Sequence, residues 1–146
     1  MLNASMFSSA KSDWETPKEL FDKLNAEFVF DLDVCATSEN AKCSAFFCPD
    51  DDGLAQDWGE RVCWMNPPYG KAISQWMLKA YQASQAGATV VCLVPARTDT
   101  NWWHSFAAKG EVRFLRGRVR FVNAPSTAPF PNAVIVFRPW KVQEVE

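Results

Sequence analysis

The run Val62-Cys63-Trp64-Met65-Asn66-Pro67-Pro68-Tyr69-Gly70 sets an apolar strand directly against Asn-Pro-Pro-Tyr. Proline holds φ at about −65° and removes a backbone donor, so the chain can neither continue as strand nor open a helix there. The strand is therefore expected to end in a rigid elbow. In such an elbow the Asn66 side-chain oxygen and the Pro67 carbonyl point the same way, as acceptors with no donor between them. A planar amino group on a ring offers two N–H donors, the complement of that pair. Tyr69 adds an aromatic face on which the ring can stack. Donor capture beside a stacking surface reads as recognition of an exocyclic amine on a flat heterocycle. The other reading of the same residues is a plain proline-rich strand exit with Tyr69 packed on the core.

Working outward, Lys71 to Gln85 is predicted to be a helix, because Ile73, Trp76, Met77, Ala80 and Tyr81 recur at helical spacing and Gly87 stops it. Ala88 to Val94 is apolar throughout and ends at Pro95, the pattern of a buried strand. On the N-terminal side, Thr16 is placed to cap a helix with Pro17 at its first position and Leu20, Phe21 and Leu24 as its apolar stripe. Phe28 to Val34 reads as a strand ending with Asp31 and Asp33, and residues 37 to 60 as short elements in a long loop. On the C-terminal side, Asn101 to Lys109 reads as helix, and Glu111 to Leu115, Arg118 to Val122 and Ala133 to Phe137 as strands, the last two joined by a proline-rich loop. Strand–helix–strand alternation with apolar strands predicts an α/β fold with a mostly parallel sheet covered on both faces and a C-terminal antiparallel hairpin. Residues 1–13 are polar and aperiodic, as in a flexible tail, and 14–146 are read as a single domain.

The chain is 48% apolar and 14% aromatic, enough for one packed core. Of its seven tryptophans, Trp14, Trp58, Trp102 and Trp103 stand in polar or loop-like contexts and are candidates to line a cleft. Net charge is −2, yet residues 1–60 carry four basic and thirteen acidic groups while residues 61–146 carry eleven basic and four acidic. The basic excess is densest at Arg113, Arg116, Arg118 and Arg120. One acidic and one basic half fit a protein that meets a polyanion on one side; a solvated charged face is the alternative. The five cysteines show no paired spacing and His104 is the sole histidine, which argues against zinc and disulfides. No signal-type core and no 18-residue apolar run is present, so a reduced, cytoplasmic protein without a membrane span is expected.

Asn66-Pro67-Pro68-Tyr69 after an apolar strand resembles the amine motif of S-adenosylmethionine-dependent amino-methyltransferases. The set formed with Trp14-Glu15-Thr16-Pro17, Phe30-Asp31-Leu32-Asp33-Val34-Cys35-Ala36, Asp52-Gly53-Leu54, Asp57-Trp58, Gly117-Arg118-Val119-Arg120-Phe121 and Pro129-Phe130-Pro131 resembles, in order, the phage-type DNA N6-adenine methyltransferase (Dam-like) family. The resemblance spans roughly residues 14 to 138. It implies a compact Rossmann-like methyltransferase domain that transfers methyl from S-adenosyl-L-methionine to adenine N6 in DNA. Asn66, Pro67, Pro68 and Tyr69 would be its catalytic elbow. Asp31 to Ala36 would take the place of the cofactor loop, Thr16 and Pro17 would lie beside the methionine moiety, and Asp52 or Asp57 would meet the adenosine amine. The chain departs from the family of folds in having no GxG-type turn after this strand.

The residues themselves allow each of these roles. In open α/β sheets ligands sit beyond the C-terminal strand ends, and three such ends carry Asp31/Asp33, the elbow, and Pro95-Ala96-Arg97. A carboxylate at Asp33 suits an ammonium, sulfonium or ribose hydroxyl; turn or cap chemistry is the alternative, as it is for Asp50-Asp51-Asp52-Gly53. An adenine in duplex DNA must be flipped to reach the elbow. Phosphate contacts from Arg116, Arg118 and Arg120, with Arg97 and Trp102 overhanging the cleft, would support this. A protein glutamine amide also presents a planar NH2, so a protein methyltransferase is a second reading, and a catalytically silent nucleic-acid-binding module a third.

Overall fold

The computed structural model describes residues 14–140, so the expected N-terminal tail lies outside the described residues. In chain order the elements are α1 (Lys18–Phe28), β1 (Leu32–Asp33), β2 (Val62–Met65), α2 (Ile73–Gln85), β3 (Thr89–Pro95), α3 (Asn101–Ser105), β4 (Glu111–Phe114) and β5 (Asn132–Phe137). Short 3-10 turns occupy Pro49–Asp51, Gly53–Ala55 and Ala107–Lys109. The strands form one mixed sheet in the order β1-β2-β3-β5-β4. β1, β2 and β3 pair in parallel, whereas β5 is antiparallel to both of its neighbours, with Val90 opposite Phe137 and Pro95 opposite Asn132.

Strand β3 lies at the centre and organises both layers. Its side chains alternate, so Val90, Cys92 and Val94 join α2, Trp58, Trp76 and Met77 on one face. Val91 and Leu93 join Phe21 and Leu24 of α1 with Trp64, Phe121 and Phe130 on the other. One face is therefore covered by α2, and the other by α1 together with the segment between β4 and β5. Each fully buried aliphatic chain of this kind contributes about 1.5–3 kcal/mol.

Several expectations are corrected. Thr16 does not cap α1: Pro17 occupies the cap position, with no side-chain cap bond, and Thr16 is drawn into the interior. The strand expected over 28–34 shrinks to Leu32–Asp33 because Phe28 completes α1. Val29 then turns into the left-handed region at φ 56°, its N–H bonded to the Asn25 carbonyl at 2.9 Å, while the Asn25 side chain accepts from Phe30 N–H at 2.8 Å. The helix expected over 101–109 breaks at Phe106 into α3 and a 3-10 turn. Arg118 to Val122 is not a strand: Gly117 at φ 75° redirects the chain, and Ala128 N–H bonds the Val119 carbonyl at 2.8 Å to close an irregular loop. The antiparallel part of the sheet comes from β5, which pairs with β3 and with β4, and residues 118–122, expected as a strand joined to β5, take no part in it. Pairings are half parallel and half antiparallel, so the sheet is mixed where a mostly parallel one was expected.

Candidate active site

The elbow begins where β2 ends. Asn66 donates one amide hydrogen to Thr16 Oγ1 at 3.0 Å and the other to the Trp14 carbonyl. A carbonyl can only accept, so the amide nitrogen must face it and Oδ1 must face away. Asn66 Oδ1 is buried and has no protein partner, one of two such side-chain oxygens among the described residues. Pro67 is buried and Pro68 half-buried. The Asn66 side chain is thus oriented by a segment fifty residues upstream, which leaves its oxygen unpaired. Thr16, only 1% exposed, acts as a brace for Asn66.

Tyr69 is half-buried, and its hydroxyl is fastened inward. It donates to the Leu93 carbonyl at 3.0 Å and accepts from Asn132 Nδ2 at 3.2 Å. Phe121 and Phe130 meet its ring in T-shaped contacts, with centroids 6.2 and 5.5 Å away. Burial pushes the phenol well above its ordinary pKa, partly offset by the Asn132 hydrogen bond.

Beyond the C-terminal ends of β1 and β2 lies a cavity of about 220 Å³. Thr16, Asp33, Ala36, Asp52, Asn66 and Pro68 line it, with Trp14, Lys42, Phe47, Gly53 and Trp76. Asp33 is 2% exposed, and its carboxylate accepts from Cys35 N–H at 3.2 Å and Lys42 N–H at 3.0 Å, pinning the loop that forms one wall. Burial raises its carboxyl to a pKa of about 6, against the opposing effect of those two N–H groups and the Lys42 charge. Asp31 is exposed ahead of β1, where its carboxylate accepts from Val62 N–H at 3.0 Å; it does not line the cavity. Pro17 likewise belongs to the start of α1 and not to the cavity wall. Asp52 sits at the rim, whereas Asp57 bonds Gly59 N–H at 2.8 Å outside it.

The basic side is formed by the β3 exit and the β4–β5 segment. Exposed Arg97 stacks over Phe130 at 5.6 Å, and Arg118 donates to the Ala128 carbonyl at 3.3 Å. Arg116 and Arg120 are exposed. Val122 N–H bonds the Glu15 carbonyl at 3.0 Å, so this segment is tied to the strand of chain that braces Asn66. Arg113, in contrast, is held by both carboxylate oxygens of Glu27 at 2.7 Å and by Glu111. Trp102 and Trp103 are buried, 8% and 6% exposed, and Trp58 is 1% exposed. Their core positions leave Trp14 as the expected cleft tryptophan that lines the cavity. Among the described residues no cluster of three His, Cys, Asp or Glu side chains is placed to hold a metal, and no helix is long and apolar enough to cross a membrane.

Residues 4–144 match the family model for DNA N-6-adenine-methyltransferase (Dam). A DNA N-6-adenine-methyltransferase of Haemophilus phage HP1 is 33% identical over 127 residues, covering 84% of this chain and 73% of the phage protein. The chain belongs to the DNA N-6-adenine-methyltransferase (Dam) family. A second protein of that name, from Escherichia phage T1, is 30% identical over 92 residues, 62% of this chain and 38% of its own. The putative methyltransferase YfdM of Escherichia coli K12 is 40% identical over 63 residues, 38% of this chain and 69% of its own. Family membership makes the protein an adenine-specific DNA methyltransferase, with DNA as substrate and a methyl donor as co-substrate.

The turn at Gly53 packs closely against the chain just after β1. A Cβ on Gly53 would stand 2.3 Å from the Val34 carbonyl and 3.1 Å from the Trp76 ring. Only glycine permits this close approach of the 52–55 turn to the end of β1. The Gly53 carbonyl accepts from the Trp58 indole N–H at 2.9 Å, which fixes the turn from beneath. Glu15, Thr37, Asn40, Lys42 and Trp76 are wall residues that sequence reading missed, because each reaches the cavity only through tertiary contact.

Proposed function

We propose that the family reaction runs here with S-adenosyl-L-methionine held in the cavity beside Asp33 and Asp52, and with adenine N6 held by Asn66 and Pro67. The observation that carries this reading is Asn66 Oδ1: a buried acceptor, fixed in orientation by its own two donations, and lacking a partner. An orphaned buried oxygen costs about 1–3 kcal/mol. An amino hydrogen of the substrate would relieve that cost. The cavity suits the donor chemically, because Asp33 and Asp52 can meet ammonium, sulfonium or hydroxyl groups.

An aryl amine is a weak nucleophile because its lone pair is spread into the ring. Acceptors at both N–H groups, Asn66 Oδ1 and the Pro67 carbonyl, return electron density to nitrogen and favour its tetrahedral form. S-adenosylmethionine, when bound, would supply a sulfonium-activated methyl group whose C–S bond breaks to a neutral thioether as the N–C bond forms. The methylated nitrogen is then acidic enough to lose its extra proton to water, so a histidine base is not required. His104 lies apart from the cavity, its ring nitrogen bonded to the Thr98 carbonyl at 2.7 Å.

Flipping the base costs a few kcal/mol, and stacking on Tyr69 returns about 1–3 kcal/mol of it. The remainder is assigned to phosphate contacts from Arg97, Arg116, Arg118 and Arg120. Trp102 is left out of this set because its ring is in the core. Residues 14–146 would act as one Rossmann-like domain, with Asp31 supporting the sheet and Pro17 the start of α1.

Incubation with methyl-labelled S-adenosylmethionine and DNA, followed by nucleoside analysis, tests the reading. Label in N6-methyl-2′-deoxyadenosine is the expected result. Label in cytosine or protein, or none at all, would overturn it.

A further inference from the structure

The second orphaned oxygen belongs to Asn132, which is 1% exposed at the first position of β5. Its Nδ2 donates to the Tyr69 hydroxyl at 3.2 Å and to the Val94 carbonyl at 3.1 Å, and the Tyr69 hydroxyl donates in turn to the Leu93 carbonyl at 3.0 Å. Both amide hydrogens are thus spent, while Oδ1 is buried without a partner. Asn132 faces Pro95 across the ladder, and proline offers no N–H there. An apolar residue would close the end of the sheet without burying an unsatisfied oxygen. The amide is explained by what it donates, and one of its two acceptors is the tyrosine of the elbow.

We propose that Asn132 is a positioning residue for methyl transfer: by fixing the Tyr69 hydroxyl it fixes the elbow, and with it the Asn66 acceptor. The proposal rests on the function assigned above. Tyr69 follows Asn66 through two prolines, whose locked φ angles make the link stiff, so a displaced phenol moves the acceptor rather than being absorbed between them. The strap also crosses the sheet. Tyr69 leaves the end of β2, passes the carbonyl of Leu93 in β3 and ends on β5, so three adjacent strand ends are held in one register beneath the base-binding elbow.

The test uses the full chain with Asn132→Leu, which keeps side-chain size and removes both donations, and Tyr69→Phe, which removes only the oxygen that Asn132 reaches. Each variant is expected to lower kcat by about 10- to 100-fold, the range for sub-ångström to 1 Å misplacement of reacting groups. Binding of S-adenosylmethionine by calorimetry should stay within about twofold, and the double variant should be no slower than the slower single one. A second readout is independent of activity. The chain has two tyrosines, so the 13Cζ signals of tyrosine-labelled protein are readily assigned; Asn132→Leu should shift that of Tyr69 and leave that of Tyr81 in place. Unaltered kcat in Tyr69→Phe, an unmoved Tyr69 signal, or parallel loss of kcat, cofactor binding and Tm would each overturn the proposal. If Asn132→Leu fails to fold, Asn132→Ala, which also removes both donations, takes its place in both readouts. Lack of methyl transfer by the unmodified protein would count against the proposed function instead, with the 13Cζ shift still deciding the role of Asn132.

Discussion

Asn66 and Thr16, fifty residues apart in the chain, share a hydrogen bond of 3.0 Å in which the Asn66 amide donates. With the Trp14 carbonyl taking the other hydrogen, the side chain has one orientation and its oxygen one direction. Asn66→Ala is therefore expected to lower turnover by about 10²–10³-fold, as for loss of one preorganised transition-state partner. Calorimetric affinity for the methyl donor should be nearly unchanged. Thr16→Val keeps the shape and removes one brace, so a smaller loss, about tenfold or ~1.4 kcal/mol, is expected in kcat. Wild-type kcat in Asn66→Ala would remove Asn66 from the chemistry.

Asp33 gives a pH dependence with opposite signs for stability and for binding. Its carboxyl ionises at about 6 in the folded protein against an ordinary 3.8. A raised folded value means that its contribution to stability is complete below about pH 4 and lost as pH rises through about 6. The loss at neutral pH is ~3 kcal/mol, since each tenfold difference in proton affinity between folded and unfolded chain is worth about 1.4 kcal/mol. Urea unfolding between pH 4 and 8 should show this slope in the wild type and a flatter one in Asp33→Asn. Affinity for a cationic, hydroxyl-bearing donor should instead rise as pH increases through about 6, because the ionised carboxylate is the better acceptor. An affinity that is flat across this window would exclude a direct contact with Asp33.

Much of this arrangement was legible in the sequence, for identifiable reasons. α2 follows from Ile73, Trp76, Met77 and Ala80, and β3 from an unbroken apolar run, because local pattern and burial agree there. The elbow was legible because two prolines dictate it locally. Thr16 reads as a cap in the sequence because its partner, Asn66, lies far along the chain. Val29 hid the end of α1, since a β-branched residue in the left-handed region is not a recognisable stop signal. Trp102 stands in a polar stretch whose sequence allows either a cleft or a core position, and α3 turns it into the core. The role of Gly53 depends on Val34 and Trp76, neither of which is near it in sequence.

Gly53→Ala tests the close-packed turn at the cavity wall. The added methyl would meet backbone at 2.3 Å, so the 52–55 turn must move away from β1. A destabilisation of about 1–3 kcal/mol is expected from overpacking, measured by urea unfolding. Donor affinity should fall at least tenfold, because the displaced turn also carries Asp52 and the support from Trp58. Unchanged affinity in a folded variant would place the donor elsewhere.

The arginines divide into two groups that salt dependence can separate. Arg113 is already satisfied by Glu27 and Glu111, which also raise its pKa, so it has little charge to offer a phosphate. Arg116, Arg118 and Arg120 lie on an exposed loop instead of an alternating strand, so their reach is not limited to one face by pairing. Arg118 is steadied by the Ala128 carbonyl, and Arg97 by the Phe130 ring that also packs on Tyr69. If this group tracks the backbone, log affinity for DNA should fall with log salt at about −0.9 per neutralised phosphate. Arg118→Ala and Arg120→Ala should each reduce that slope by about one unit and weaken all DNA sequences alike. Arg113→Ala should leave the slope unchanged and show its effect in Tm, through the unpaired Glu27 and Glu111. A slope that is insensitive to Arg118 and Arg120 yet sensitive to Arg113 would move the DNA path from the loop beside the elbow to the outer edge of the sheet at β4.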